Sequence, residues 1–250
     1  MKLSLYKTGK QPAAVNMALD QALLELHARG AIGPVLRLYG WEPSALTIGY
    51  SQHWNEDVDQ DACARHGVPV VRRTTGGGAV FHDNEITYSL VAPAALLGEN
   101  ILESFRNVSR ALVAALRIMG LGAEFAPLND ITVNGKKISG NAQVRHKGSI
   151  LQHGTILLGL DLDKMFSLLR VPDDKLKRKN LAAARDRVTS AQEELGRPVL
   201  FEDAAAAMSE GFSEWAGAAL SSFDPPAELT ALAGEIQRSK FDATQWNQRL

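Results

Sequence analysis

The chain has 250 residues, 45% hydrophobic and 22% charged, with a formal net charge of −1 and a single cysteine, Cys63. That balance gives no overall field to recruit nucleic acid or an anionic membrane, no stretch approaches a membrane span, and one cysteine excludes an intramolecular disulfide and CxxC metal sites. The length suits one large domain with a sizeable core, and with no apolar leader segment the expected location is cytoplasmic.

Ala14 to Ala28 carries Met17, Leu19, Leu23, Leu24 and Leu26 at helical spacing, with Gly30 as the stop. Val35 to Tyr39 and Ala45 to Gly49 read as strands around a turn at Pro43-Ser44. Asp57 to His66 reads as a short helix, and Cys63 within it as a small buried hydrophobe. A buried strand, Val68 to Val71, then runs into Arg72-Arg73-Thr74-Thr75-Gly76-Gly77-Gly78-Ala79-Val80-Phe81-His82-Asp83. Glycine lets a ligand approach main-chain N–H groups, successive N–H groups form an anion-binding concavity, and arginine adds a planar fork of donors. The alternative is a tight turn with solvated arginines. Neither G-x-x-x-x-G-K-[ST] nor G-x-G-x-x-G is met, which excludes a Walker loop and a dinucleotide fingerprint here.

Glu85 to Val91 reads as a strand, and Ile101 to Met119 as the clearest helix, closed by Gly120. Asn134-Gly135, between Ile131-Thr132-Val133 and Lys137-Ile138, signals a hairpin that sets Asp130 and Lys137 on adjoining strands. Ser139-Gly140-Asn141-Ala142 follows the lysine, and a strand interrupted by His153-Gly154-Thr155 comes next, its glycine marking a close approach. Histidines 82 and 153 are read either as pocket residues or as packing. From Asp161 the chain reads as mostly helical, punctuated by Pro172, Pro198 and Pro225-Pro226. These elements make an α+β domain, a mixed sheet flanked by helices. Between Arg170 and Arg187, the bases Arg170, Lys175, Lys177, Arg178, Lys179, Arg185 and Arg187 outnumber Asp173, Asp174 and Asp186. The excess reads as a solvated face or as a lip for an acidic partner.

Together these clusters resemble the lipoate–protein ligase A family, within the wider biotin/lipoate ligase and lipoyl transferase superfamily. Asn129-Asp130 contributes, and weaker matches lie at Asn16 to Asp20, Arg187-Val188-Thr189-Ser190 and Lys240-Phe241 through Trp246-Asn247. The resemblance implies the biotin/lipoate ligase fold over residues 1–250 as a single catalytic domain. A mostly helical part would run from about residue 161, and the C-terminal accessory domain of longer members would be lacking. It implies an ATP-dependent lipoate–protein ligase that forms lipoyl-AMP and passes the lipoyl group to a lysine of an acceptor domain. Lys137 would be catalytic. Substrate and nucleotide would contact Arg72, Arg73, Thr75, Gly76, Gly77, Gly78, Ala79, Val80, His82, Asp130, Ser139, Gly140, His153, Gly154 and Thr155. Asp130 would orient the lysine or hold Mg2+. Partners would be a lipoyl-acceptor domain or carrier protein and a separate small accessory subunit, with no nucleic acid and no membrane. Two alternatives stand beside it: an octanoyl or lipoyl transferase acting without ATP, with Cys63 as the one available thiol, and a non-catalytic lipoyl-carrier binding protein.

Overall fold

The structure, a computed structural model, describes residues 2–170 and 174–250, with Asp174, Lys175 and Lys177 described by backbone alone. The expected break at Pro172, the acid Asp173 and the side chains of Asp174, Lys175 and Lys177 lie outside the described residues. In chain order the elements are β1 (Ser4–Gln11), α1 (Ala13–Ala28), β2 (Val35–Trp41), β3 (Ala45–Ile48), α2 (Trp54–Asp57), α3 (Gln60–Arg65), β4 (Val70–Arg72), β5 (Val80–His82) and β6 (Glu85–Pro93). Then come α4 (Ala94–Leu97), α5 (Ile101–Ile118), β7 (Ala123–Ala126), β8 (Asp130–Val133), β9 (Lys136–His146) and β10 (Ser149–Leu157). The rest is mostly helical: α6 (Leu162–Ser167), α7 (Asp174–Arg187), α8 (Ala191–Leu195), α9 (Phe201–Ala216), the short β11 (Ser221–Ser222), α10 (Ala227–Ile236), a π-helical turn Gln237–Phe241 and α11 (Thr244–Asn247).

Eight strands form a mixed sheet in the order β11-β1-β2-β6-β10-β9-β8-β7, and β4-β3-β5 form a second, smaller sheet. Period-two alternation divides the faces of the large sheet. On β6, Ile86, Tyr88 and Leu90 pack with Val108 and Leu112 of α5 and with Met208 and Phe212 of α9. The intervening Thr87 and Ser89 point the other way and are also buried. On that side Tyr39, Trp41, Val91 and Leu151 pack with Met17, Leu23 and Leu26 of α1 and with Leu229 and Ile236 of α10. The small sheet has its own core of Leu46, Ile48, Phe81, Trp54, Val58, Cys63 and Leu168. The polar strip of the large sheet therefore faces inward, toward the small sheet.

Local chemistry accounts for the boundaries. Asn100 caps α5 by accepting from the Glu103 N–H at 2.9 Å, and Gly120, at φ +90, ends it. Asn134 (φ 51) and Gly135 (φ 77) take the left-handed conformations a two-residue hairpin requires. The expected helix over 57–66 is two helices. Val58 pairs with Leu169 between them, and Asp59 starts α3 afresh, accepting from the Ala62 N–H at 2.8 Å. The expected β2 and β3 form, but in different sheets: β2 pairs with β1 and β6, and β3 with β4 and β5.

Gly211 on α9 lets the two outer helices touch. A Cβ there would stand 2.6 Å from Ala111 O and from Ala115 N, both backbone atoms of α5. Gly211→Ala is expected to destabilise the protein by about 1–3 kcal/mol, the usual range for overpacking. Chemical denaturation measures this, and an unchanged midpoint would mean that α5 and α9 separate without penalty.

Candidate active site

A cavity of 290 Å³ lies between the polar strip of the large sheet and the small sheet, with α6 and the end of α7 over it. Its size sits at the low end of small-molecule sites, roughly 300–1,000 Å³. Its walls are mostly apolar: Met17, Trp41, Phe81, Leu157, Met165 and Phe166 contribute, with Leu160, Leu162 and Val188 nearer α7. Polar groups enter at few points, through Arg73, the glycine-rich loop, His82, Lys137 and His153. A wider, open and more polar cleft of 680 Å³ adjoins it between Asp161, Arg185 and Arg197, sharing Leu162 and Val188. The smaller cavity holds the convergent polar groups, so it is the candidate site.

The carbonyls of the glycine-rich loop are taken up by neighbouring groups, while its glycine amides are not. Thr75 O accepts from Tyr50 N at 2.9 Å. Gly76 O and Gly78 O accept from Arg73 Nη2 at 2.9 and 3.0 Å. Gly77, at φ +96, lays its carbonyl so close to Gly49 that a Cβ on Gly49 would overlap it. The N–H groups of Gly76, Gly77 and Gly78 donate to no described residue, and all three glycines line the cavity. Such a run of free amides is a cradle for negative charge. Arg73 also donates to Thr47 O at 3.1 Å and Thr47 Oγ1 at 2.7 Å. Burial lowers its pKa to about 10, which leaves it charged at neutral pH.

Two carboxylate–histidine–threonine chains run behind this surface. Asp20 Oδ2 meets His153 Nδ1 at 3.2 Å, and His153 Nε2 meets Thr75 Oγ1 at 2.7 Å. Glu85 Oε1 meets His82 Nδ1 at 2.6 Å, and His82 Nε2 meets Thr47 Oγ1 at 2.7 Å. Trp41 stacks on His82 with ring centroids 3.8 Å apart and donates to Thr87 Oγ1 at 2.7 Å. Burial pushes the His153 pKa down, Asp20 pulls it back up, and the charges of Arg73 and His82 add to the lowering, so the ring is neutral at pH 7.

Lys137 follows the hairpin turn on β9. Its Nζ stands 2.8 Å from Asp130 Oδ1, and both side chains are partly exposed. The lysine lies across Gly140, where a Cβ would stand 2.9 Å from Nζ. Its main chain is seated from the far side: Lys137 pairs with Val188, and Thr189 N donates to Lys137 O at 2.9 Å. The Arg187-Val188-Thr189-Ser190 segment thus holds the lysine's backbone in place. Among the described residues no three His, Cys, Asp or Glu side chains cluster to hold a metal. Asp130, the one carboxylate expected to orient the lysine or hold Mg2+, is paired to Lys137.

Of the expected site residues, Arg73, Gly76, Gly77, Gly78, Ala79, Val80, His82, Lys137, Gly140, His153, Gly154 and Thr155 line the cavity. Thr75 sits one layer behind it, 1% exposed and held on His153. Two places are revised. Ser139 is buried and pairs with Ile156, on the sheet face that packs against α5 and α9. Arg72 is fully buried. Its guanidinium is taken up by the carbonyls of Gly49, Tyr50, Gln52, Trp246 and Asn247. Cys63 is buried in α3 with Sγ 3.8 Å from Leu168 O, outside the cavity lining. Burial, with Asp59 nearby, raises its pKa to about 11, so the thiol stays protonated. Asp20, Thr47, Trp41, Glu85 and Thr87 were not singled out as site residues from sequence. Their signals were polar: Asn16 and Asp20 on the buried face of α1, and alternating Glu85, Thr87 and Ser89 on an otherwise apolar strand.

A family model described as "Lipoyl protein ligase A/B catalytic domain" matches residues 12–213. An Octanoyltransferase LipM from Kyrpidia tusciae is 39% identical, covering 98% of both chains. Among solved structures, a bi-partite lipoate protein ligase from Thermoplasma acidophilum superposes with a TM-score of 0.90 at 30% identity, covering 99% of this chain and 96% of that one. A lipoate-protein ligase A bound with ATP superposes at 0.83 and 30% identity, covering 99% and 98%. These likenesses bear out the family resemblance and the α+β fold. They overturn the expected ATP-dependent ligase activity, because the 39% identical curated relative is named an octanoyltransferase.

Arg72 and Arg73 are adjacent in sequence and opposite in role. Arg72→Leu removes the donors from five carbonyls in a buried junction, where each unmet group costs about 1–3 kcal/mol. The variant is expected to lose at least about 3 kcal/mol of stability in urea denaturation, and a wild-type midpoint would return Arg72 to the list of ligand-facing residues.

Proposed function

The chain belongs to the lipoyl protein ligase A/B catalytic domain family, and from that premise we propose an acyltransferase that moves an octanoyl- or lipoyl-type chain onto a lysine of a lipoyl-acceptor domain without ATP. Three observations support this reading: the octanoyltransferase name of the 39% identical relative, the narrow apolar cavity, and the glycine amides without a described partner that line it together with Lys137. The cradle carries the reading, since acyl transfer builds negative charge on one oxygen and preorganised donors there are worth most in a water-poor site. In this reading residues 1–250 act as one catalytic unit.

The chemistry needs an acyl donor with its own leaving group, such as a thioester. The apolar walls take the hydrocarbon chain and leave the carbonyl at the mouth, between the Gly76–Gly78 amides and Lys137. The acceptor's neutral amine attacks the carbonyl carbon and a C–N bond forms. The carbonyl electron pair moves to oxygen, where the amides and the Lys137 ammonium offset the charge. Collapse breaks the C–S bond, and the thiolate leaves with the proton lost by the amine. Asp130 keeps the Lys137 ammonium aimed across Gly140. The only cysteine is buried and protonated away from the cavity, so the acyl group passes directly between the two substrates with no enzyme thioester. Arg178 and Lys179 are exposed on α7, the helix whose Ala184 lines the cavity, and the acceptor would approach along that helix.

The test is to incubate the protein with an octanoyl thioester and a lipoyl-acceptor domain, without ATP, and weigh the acceptor by mass spectrometry. A mass gain on one lysine is expected. Acylation that occurs only from the free acid with ATP, or not at all, overturns the proposal. Lys137→Ala is expected to lower kcat by roughly 100-fold or more while binding of octanoate persists. Cys63→Ser is expected to keep most activity, and an acyl group trapped on Cys63 of the wild type would refute direct transfer.

A further inference from the structure

We propose that the Asp20–His153–Thr75 chain is a positioning relay that sets the glycine-rich loop in its amide-out conformation. It acts on turnover through the loop, without touching the acyl group. Its consequence for turnover rests on the acyl-transfer reading, and its consequence for the loop does not.

The relay starts from a saturated carboxylate. Asp20 Oδ1 accepts from Arg37 Nη1 at 2.9 Å and Ser89 Oγ at 2.7 Å, and Oδ2 accepts from Tyr39 Oη at 2.9 Å and from His153. An ionised carboxylate has about four acceptor positions, and here all are filled. Burial alone would raise the Asp20 pKa, but the His153 hydrogen bond, the Arg37 charge and Ser89 outweigh it and hold the group ionised. A charged Asp20 makes Nδ1 of neutral His153 the donor. Nε2 is then an acceptor, and the Thr75 hydroxyl must donate to it. One proton arrangement satisfies the whole chain, so the Thr75 side chain has one orientation.

Thr75 is where this orientation matters. It is the residue before Gly76, and glycine has no rotamer or Cβ to fix its own backbone. The loop is otherwise held by Tyr50 N on Thr75 O and by Arg73 on Gly76 O and Gly78 O. Those contacts hold carbonyls, and Arg73 is itself on the loop's own segment. Among the described residues, the Thr75 hydroxyl is the one side-chain hydrogen bond from the loop residues 74–78 to the large sheet. Through it, helix α1 and strands β2, β6 and β10 set the direction of the Gly76–Gly78 amides. A donor displaced by about 1 Å costs on the order of 100-fold in rate.

The test compares Thr75→Val, which keeps the shape and removes the donor, with Thr75→Ser, which keeps the donor. Thr75→Val is expected to lower kcat about 10- to 100-fold, with KM for an octanoyl thioester within about twofold because the apolar walls are intact. Thr75→Ser is expected to restore kcat. Backbone order over residues 74–79, read by 15N relaxation, is expected to fall in Thr75→Val and to stay at the wild-type level in Thr75→Ser. His153 faces Asp20 on α1, Arg73 after β4 and His82 on β5, and its pKa lies below the ordinary histidine value of about 6.5. The unfolded chain binds this proton more readily, so stability falls as the pH drops below that ordinary value. Wild-type kcat and backbone order in Thr75→Val, or equal loss in Thr75→Ser, overturns the relay. If the wild type transfers no acyl group but backbone order still separates valine from serine, the relay stands and the acyl-transfer reading falls.

Discussion

One buried carboxylate organises this molecule. Asp20 is 2% exposed, and an ion in such a place survives only if its partners replace the water it has lost. Arg37 from β2, Ser89 from β6, Tyr39 from β2 and His153 from β10 do so. Arg37 in turn is closed off by Asn16 Oδ1 and Asn16 O on α1 and by Thr8 Oγ1 on β1. Helix α1 therefore cannot shift along the sheet without stranding a charge, and stranding one partner of a buried pair costs about 3–5 kcal/mol. The pocket floor is rigid for that reason, and its polar groups keep their directions.

The two sheets divide the work that follows. The outer face of the large sheet is an ordinary apolar core against α5 and α9. The inner face gives up apolar contacts to carry Asp20's partners, Thr87, His153 and Thr155, and the small sheet closes over it. The second histidine chain repeats the first with different residues, Glu85–His82–Thr47, and ends on Arg73. Both chains link the large sheet to the glycine-rich segment by hydrogen bonds. The loop can then be all glycine at its tip, as close ligand approach requires, and still hold one conformation.

Function follows from what this frame presents to the cavity. Three glycine amides that donate to no described residue, a lysine ammonium held by Asp130 and an apolar slot meet there. That set matches a carbonyl at the end of a hydrocarbon chain. The thiol lies in a separate core among Leu46, Trp54 and Leu168, beyond reach of the slot.

Much of this was legible in the sequence where the cause is local. The Asn134-Gly135 turn, the Asp130–Lys137 apposition, the α5 helix and the triple-glycine segment depend on φ preferences, spacing and alternation within a few residues. The separation of Arg72 from Arg73 is not local: β4 ends between them, so one side chain meets the C-terminal segment at Trp246 and Asn247 and the other meets Thr47 and the loop. Nor is the placement of Cys63, Ser139 or β1, which depends on partners distant in the chain. The family, the α+β fold and the glycine and lysine clusters were therefore determined by sequence alone. Which arginine faces the cavity, which carboxylates sit behind the histidines and which thiol is out of reach were decided only by tertiary structure, because long-range packing chooses which buried polar groups must satisfy one another.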